Sequence, residues 1–276
     1  TNTPAAREAA ARTVVIKLNG GLGTSMGMDR AKSLVAVRDG KSFLDLIAAQ
    51  VKHVRDASDV RLPVLFMTSF ATDADTIAAL QPHGLGVDGL PLTFRQNQEP
   101  KLRADDLTPV EWPANPDLEW CPPGHGDLYT ALETSGALRA LLDAGFRYAA
   151  VSNSDNLGAV PDPGMMAWFA ETGAPCAIEV CRRTLADVKG GHLVVRRSDG
   201  RLVLRETAQT PEEDAGHAAD LERHRFFNTN NIWFDLEQVA KVLRDRAGVL
   251  GLPLIRNVKT VDPTDPDSPQ VIQIES

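Results

Sequence analysis

The sequence predicts an α/β fold in which a mostly parallel central sheet is flanked by helices and interrupted by an antiparallel excursion. Three observations carry this expectation. Short runs of β-branched and aliphatic residues alternate with stretches whose apolar residues recur at helical spacing. A glycine-rich loop follows the first of these runs directly. Near residue 200 the alternation gives way to closely spaced strand-like segments around Asp199-Gly200, a strong hairpin signal.

The elements follow in order. TVVIKL (Thr13–Leu18) reads as the first strand from its apolar run and flanks. SFLDLIAAQVKHV puts Phe43, Leu44, Ile47, Val51 and Val54 on one helical face, with Ser42 as N-cap. PVLFMT (Pro63–Thr68) is the second strand and Ala71–Leu80 the second helix. LTF (Leu92–Phe94) is a short strand that enters a proline-bearing stretch lasting to Pro123. One helix is expected over Asp127–Ala144, carrying Leu128, Leu132, Leu138, Leu141 and Leu142. The strand FRYAAVSN (Phe146–Asn153) and a helix over Pro163–Thr172 follow. CAIEVC, GGHLVVRR and RLVLRE make the antiparallel excursion, and the charged Thr210–Arg225 is a solvated helix or loop. NNIWFDL and the helix Glu237–Arg246 return to the first pattern, and VDPTDPDSP (Val261–Pro269) is a turn-rich loop before the last strand. No internal repeat or linker interrupts this order, so a single domain is expected over residues 1–276.

Composition narrows the function. At 43% hydrophobic and 24% charged, the 276 residues are those of a folded globular chain. A net charge of −8 argues against nucleic acid or an anionic membrane as partner, while leaving room for a local basic pocket. No apolar run reaches the length of a membrane span. Arg7, Glu8 and Arg12 stand where a signal peptide needs an apolar core. The chain begins without Met and ends in a strand pattern, VIQIES, so trimming at both ends is expected. Cys121, Cys176 and Cys181 form no CxxC pair and read as reduced thiols of a cytoplasmic protein.

The chemistry starts at the loop after the first strand, where Gly20, Gly21, Gly23 and Gly27 fall within eight positions. Glycine is costly in backbone entropy, so a cluster needs a reason. At the carboxyl end of a parallel strand the reason is a set of bare N–H groups converging on phosphate. The loop is neither a dinucleotide fingerprint, since Met26 replaces the last glycine, nor a Walker A loop, since no Gly-Lys-Ser/Thr follows at the required spacing. Lys32 stands five residues after Gly27, within reach of the same anion; the plain alternative is a flexible turn with an unrelated surface lysine.

Later stretches have readings of their own. In GHGD (Gly124–Asp127), ahead of a helix, His125 is either a donor to a phosphate or sugar oxygen or an idle turn residue. Asp155 in SNSDN leaves the carboxyl edge of a strand, either as a Mg²⁺ ligand or as the cap of an Asx turn. NTNN (Asn228–Asn231) offers neutral amides suited to sugar hydroxyls, or forms a polar turn. Lys259 alone reads as a solvated lysine. His53, His83, His217 and His224 lack zinc spacing and read as surface groups.

LNGGLGTSMG followed by AKS resembles the signature of the eukaryotic-type UTP–glucose-1-phosphate uridylyltransferases (UDP-glucose pyrophosphorylases). FRQNQEPK, WCPPGHGDLY, SNSDNLGA, KGGHL, FNTNNIW and VKTVD have counterparts in the same order, over nearly the whole chain. The resemblance implies a Rossmann-like nucleotidyltransferase domain that makes UDP-glucose and pyrophosphate from UTP and glucose 1-phosphate with Mg²⁺. It implies Lys32, Lys259 and His125 as catalytic residues and Asp155 as metal ligand. Nucleotide binding is implied for Leu18, Asn19, Gly20, Gly21, Gly23, Thr24, Gln96, Gly124 and Asn153, with Gln96 reading the uracil edge. Sugar binding is implied for Asn228, Asn230, Glu179 and Gly191, and Lys189 supports the last of these. Two departures stand out. Asp29-Arg30-Ala31 precedes Lys32 where the family has proline or glycine-proline, and the family's C-terminal β-helix domain has no counterpart before Ser276. Relatives acting on other UDP-sugars or on UDP-N-acetylhexosamines lack the LNGG lead. A nicotinamide-dependent dehydrogenase would need the missing GxGxxG. A non-catalytic UTP-binding module would bind the nucleotide without releasing pyrophosphate.

Overall fold

Parallel pairing begins where the sequence supplies its apolar runs. In the computed structural model, which describes residues 3–22, 30–187 and 190–276, Thr13–Leu18 lies between Val64–Thr68 and Tyr148–Asn153, parallel to both. Thr93–Arg95 extends the sheet beyond Val64–Thr68, and Phe226–Asp235 adds to the side of Tyr148–Asn153. Every residue of Thr13–Leu18 and of Val64–Thr68 is buried, as strands covered on both faces must be. One of them is Lys17, only 1% exposed.

Contacts divide the chain into two compact units, residues 1–176 with 233–276, and residues 177–232. In the larger unit the helix Phe43–Ser58 buries Leu44, Ile47, Ala48, Val51 and Val54. Ser42 caps it as expected: its hydroxyl accepts the Asp45 N–H, and the Asp45 carboxylate accepts the Ser42 N–H in return. The His83 imidazole joins this cap, with Nε2 2.9 Å from Asp45 Oδ1, so His83 is not the idle surface group its turn suggested. Pro163–Thr172 is helical as expected. The single helix expected over Asp127–Ala144 is instead two, Leu128–Thr134 and Ala137–Asp143. Gly136 between them has φ +77°, a left-handed conformation that ends the first helix.

The last strand follows the turn-rich loop as expected. Gln270–Glu275 does not join the main sheet; it pairs antiparallel with Ile255–Thr260 on one side and Leu102–Arg103 on the other. Its end then reaches the GHG turn, where Ser276 N–H donates to Pro123 O and Gly126 N–H to Ser276 O.

The smaller unit holds the antiparallel excursion. His192–Val195 and Leu202–Arg205 form the expected hairpin, with Gly200 at φ +68° in its turn. The buried Arg183 guanidinium donates to Ala218 O and Gly190 O, tying the short helix Ala215–Ala218 to the turn before the hairpin. His224 is half-buried rather than a surface group. Its ring stacks on that of buried His192 at 4.0 Å between centroids. Burial, with His224, Arg183 and Arg205 nearby, pushes the His192 imidazole from the ordinary 6.5 down to about 4.

Replacing Ser42 by Ala is expected to lower the unfolding free energy by about 1 kcal/mol, measured by urea denaturation. An unfolded His192 takes up its proton near pH 6.5 and a folded one near pH 4, so between these values acid favours the unfolded chain. The urea midpoint is therefore expected to fall from pH 6.5 to 4.5, and to fall less in His192→Gln, whose side chain does not titrate.

Candidate functional site

Three carbonyls in succession are caught where the first strand ends. Leu18 O accepts the Ser154 N–H, Asn19 O the Thr72 hydroxyl and Gly20 O the Ser69 hydroxyl. The Asn19 side chain, in a residue 2% exposed, is committed at both ends: Nδ2 donates to Thr76 Oγ1 at 2.9 Å, and Oδ1 accepts from Ser154 Oγ at 2.9 Å. Leu18 and Asn19 therefore hold the loop in place, with their side chains turned into the protein. Beyond them the chain doubles back, with Leu22 bridged antiparallel to Ala31 and Lys32 N–H donating to Gly21 O. Among the described residues the N–H groups of Gly20 and Gly21 have no acceptor. Gly23, Thr24 and Gly27 lie outside the described residues, as does Lys189.

Gln96 lies directly against this loop. A Cβ built on Gly20 would overlap the Gln96 amide nitrogen, so only glycine leaves the slot that the glutamine fills. Gln96 is 8% exposed, and its Oε1 is buried without a hydrogen-bond partner. Leaving a buried carbonyl unsatisfied costs on the order of 1–3 kcal/mol. Its backbone is held by Thr68 O, and the next residue is clamped by Asp127, whose two carboxylate oxygens accept Asn97 N–H at 2.6 Å and Asn97 Nδ2 at 2.8 Å. Burial pushes the Asp127 carboxyl above the ordinary carboxylate range, and the Asn97 donors offset part of that rise.

Through Asp127 the Gln96 segment is tied to the GHG turn. Gly124 has φ +88°, and a Cβ there would meet Glu275 Cβ at 3.0 Å. Both its conformation and its close neighbour require glycine. His125 is exposed, and neighbouring protein partly desolvates its ring. That desolvation pushes its imidazole below the usual value, helped by Lys32 and opposed by Glu275 and Asp155. At neutral pH it is a neutral hydrogen-bond donor rather than a cation.

Lys32 and Asp155 thus share one electrostatic neighbourhood with His125. The half-buried Lys32 has no ion pair among the described residues. Asp155 is exposed just beyond the strand Tyr148–Asn153, and its carboxylate accepts no hydrogen bond among the described residues. The Asx turn there belongs to Asn156, whose Oδ1 accepts the Gly158 N–H at 3.1 Å, and Asn153 O accepts the Asn156 N–H. Lys259 is exposed on Ile255–Thr260, with Nζ 3.2 Å from Gln273 Oε1, and its charge acts on the buried Lys101.

In the smaller unit the expected sugar residues form a polar cluster. Asn228 N–H donates to Gly191 O at 2.8 Å, its Oδ1 accepts the Asn230 N–H, and Asn230 is held at φ +59°. Glu179 accepts from Asn231 Nδ2 at 3.0 Å. Glu206 belongs to the cluster too, and sequence reasoning missed it. Its carboxylate lies over Gly191, where a Cβ would overlap it, and accepts from Asn228 Nδ2 at 3.3 Å. Its only sequence signal is its position at the end of a hairpin strand.

A parallel sheet with a glycine loop at the carboxyl end of its first strand defines an α/β protein of the nucleotide-binding class. Comparison with known proteins is more specific. The chain belongs to the UTP–glucose-1-phosphate uridylyltransferase family, whose model matches residues 1–276. It is 39% identical over 269 residues to a probable UTP–glucose-1-phosphate uridylyltransferase of Schizosaccharomyces pombe, covering 96% of this chain and 51% of that protein. It is also 39% identical to the Astragalus penduliflorus enzyme, covering 96% and 54%. Among solved structures it is similar to a UDP-glucose phosphorylase of Trypanosoma brucei, with TM-score 0.91, 44% identity and coverage of 97% and 58%. A mutant UDP-glucose pyrophosphorylase of Leishmania major in complex with UDP-glucose gives TM-score 0.88, 43% identity and coverage of 100% and 60%. The chain spans about half the length of the curated relatives it matches.

Gly20→Ala is expected to leave the far-ultraviolet circular dichroism spectrum unchanged while displacing Gln96. Loss of that buried packing should lower the melting temperature, measured by scanning calorimetry.

Proposed function

We propose that this chain carries its family's reaction, joining UTP and glucose 1-phosphate to give UDP-glucose and pyrophosphate. The observation that carries the proposal is the buried, partnerless Oε1 of Gln96, whose amide nitrogen packs against Gly20; an acceptor of this kind suits the N3–H of uracil. A phosphate oxygen of glucose 1-phosphate attacks the α-phosphorus of UTP in line. The bond from that phosphorus to the β-phosphate oxygen breaks, and pyrophosphate leaves with the electron pair. Positioning and charge neutralisation supply most of the acceleration in such transfers.

The N–H groups of Gly20 and Gly21 and the Lys32 ammonium receive the triphosphate, with Gly23 and Thr24 continuing the loop in sequence. His125 donates a hydrogen bond to a phosphate or sugar oxygen, Gly124 and Asn153 border the nucleotide, and Lys259 neutralises charge on the phosphates. The hydroxyls of the sugar meet Asn228, Asn230, Glu179, Gly191 and Glu206.

The donor set at Asp155 fits Mg²⁺. Its exposed carboxylate accepts no hydrogen bond among the described residues, and no group of three His, Cys, Asp or Glu gathers among them. A single carboxylate completed by phosphate oxygens and water is a usual Mg²⁺ environment. When bound, the ion supplies neutralisation of phosphate charge. Among the described residues no helix is long and apolar enough to cross a membrane. Cys121, Cys176 and Cys181 are thiols that form no disulfide, which suits a reducing, cytoplasmic setting.

Pyrophosphate release measured with each of four nucleoside triphosphates against a panel of sugar 1-phosphates is expected to be greatest with UTP and glucose 1-phosphate. A greater rate with N-acetylglucosamine 1-phosphate would overturn the sugar assignment, and UTP binding without release would leave a binding module. Lys32→Ala should lower turnover by about 3 kcal/mol of transition-state stabilisation. Asp155→Asn should raise the Mg²⁺ needed for half-maximal rate without changing the melting temperature.

A further inference from the structure

Among the largest fully buried side chains, Lys17 is the one that carries a charge. It occupies a strand covered on both faces, where an aliphatic residue of similar length would avoid the cost of dehydrating an ammonium. The ammonium has a particular set of partners. Nζ donates to Ser152 Oγ at 2.7 Å and to Ala159 O at 3.1 Å.

These acceptors stand at the two ends of the turn that bears Asp155. Ser152 lies opposite Lys17 in the parallel register, one residue before the strand ends, and Ala159 is where the turn is over. Between them nearly every polar handle is tied down. Ser154 is held by Leu18 O and Asn19 Oδ1, Gly158 N–H by Asn156 Oδ1, and Leu157 O by Gln50 Nε2 at 3.0 Å. Asp155 alone presents a carboxylate that accepts no hydrogen bond among the described residues.

We propose that Lys17 is a positioning residue for Asp155: by joining both ends of the 152–159 turn through one ammonium, it holds that carboxylate in place for a divalent cation bound with the nucleotide. The inference rests on the reading of Asp155 as metal ligand. A neutral core residue would close no such loop, because only a group with several donors links two acceptors seven residues apart.

The test measures Mn²⁺ binding to the UTP complex by electron paramagnetic resonance, UTP binding without metal by calorimetry, and amide hydrogen exchange over residues 153–159. Lys17→Met is expected to weaken Mn²⁺ binding about tenfold, the usual range for loss of a partner behind a ligand, with UTP affinity without metal changed less than twofold. Exchange across 153–159 should quicken. In an Asp155→Asn background the same substitution should no longer alter Mn²⁺ affinity. Ser152→Ala, which removes one arm of the clamp, should weaken Mn²⁺ binding in the same direction by a smaller factor, and it serves if Lys17→Met does not fold. Unchanged Mn²⁺ affinity and exchange in either folded variant would overturn the proposal. Equal losses of metal-free and metal-loaded UTP affinity would also overturn it, since they would mark a purely structural lysine. If Asp155→Asn alone retains full Mn²⁺ affinity, the metal reading of Asp155 fails instead, and exchange over 153–159 then decides whether Lys17 holds the turn.

Discussion

The buried amide of Asn19 is the constraint on which the glycine-loop edge of the sheet depends. It stands one residue past the first strand and joins the helix Asp73–Leu80, through Thr76, to the turn after Tyr148–Asn153, through Ser154. Its backbone N–H reaches Met67 O, and the carbonyls on either side are caught by Ser154 and Ser69. A parallel sheet leaves its carboxyl edge open, with strand ends free to splay. Here a single polar side chain, 2% exposed, ties three segments at that edge and fixes where the glycine loop begins.

Within this satisfied frame the unsatisfied groups stand out. Gln96 Oε1 is buried without a partner, and Lys32 has no ion pair and the Asp155 carboxylate no hydrogen bond among the described residues. A folded chain that pairs Asn19, Asp127 and Asn97 so completely has the means to pair these as well. The buried Gln96 Oε1 costs stability while it is unpaired, and under the proposed function the substrate would remove that cost on binding. The proposed roles follow from this chemistry: an amide for a base edge, an ammonium and bare N–H groups for phosphate, and a carboxylate for a cation.

Much of this was legible in the sequence because it rests on local pattern. The apolar strands, the Ser42 cap, the Asp199-Gly200 hairpin and the glycine loop each follow from a few adjacent residues. What stayed hidden depends on neighbours far along the chain. Lys17 sits within an apolar run, and nothing near it in sequence marks Ser152 and Ala159 as its partners. Leu102–Arg103 is too short to show a period, so the small sheet it forms with the last strand left no trace. Gly136 was absorbed into a leucine-rich helical pattern, although its φ of +77° breaks the helix there. Glu206 and His224 became recognisable only once the fold set them beside Gly191 and His192.

The central proposal is that the Gln96 amide, seated against Gly20, reads the edge of uracil. Calorimetric titration of the wild type and Gln96→Leu with UTP and with CTP tests it most directly, because cytosine lacks the N3–H that Gln96 Oε1 would accept. The account predicts that the wild type prefers UTP by tenfold or more and that the leucine variant binds both nucleotides weakly and alike. A preference for UTP that survives in Gln96→Leu would contradict it.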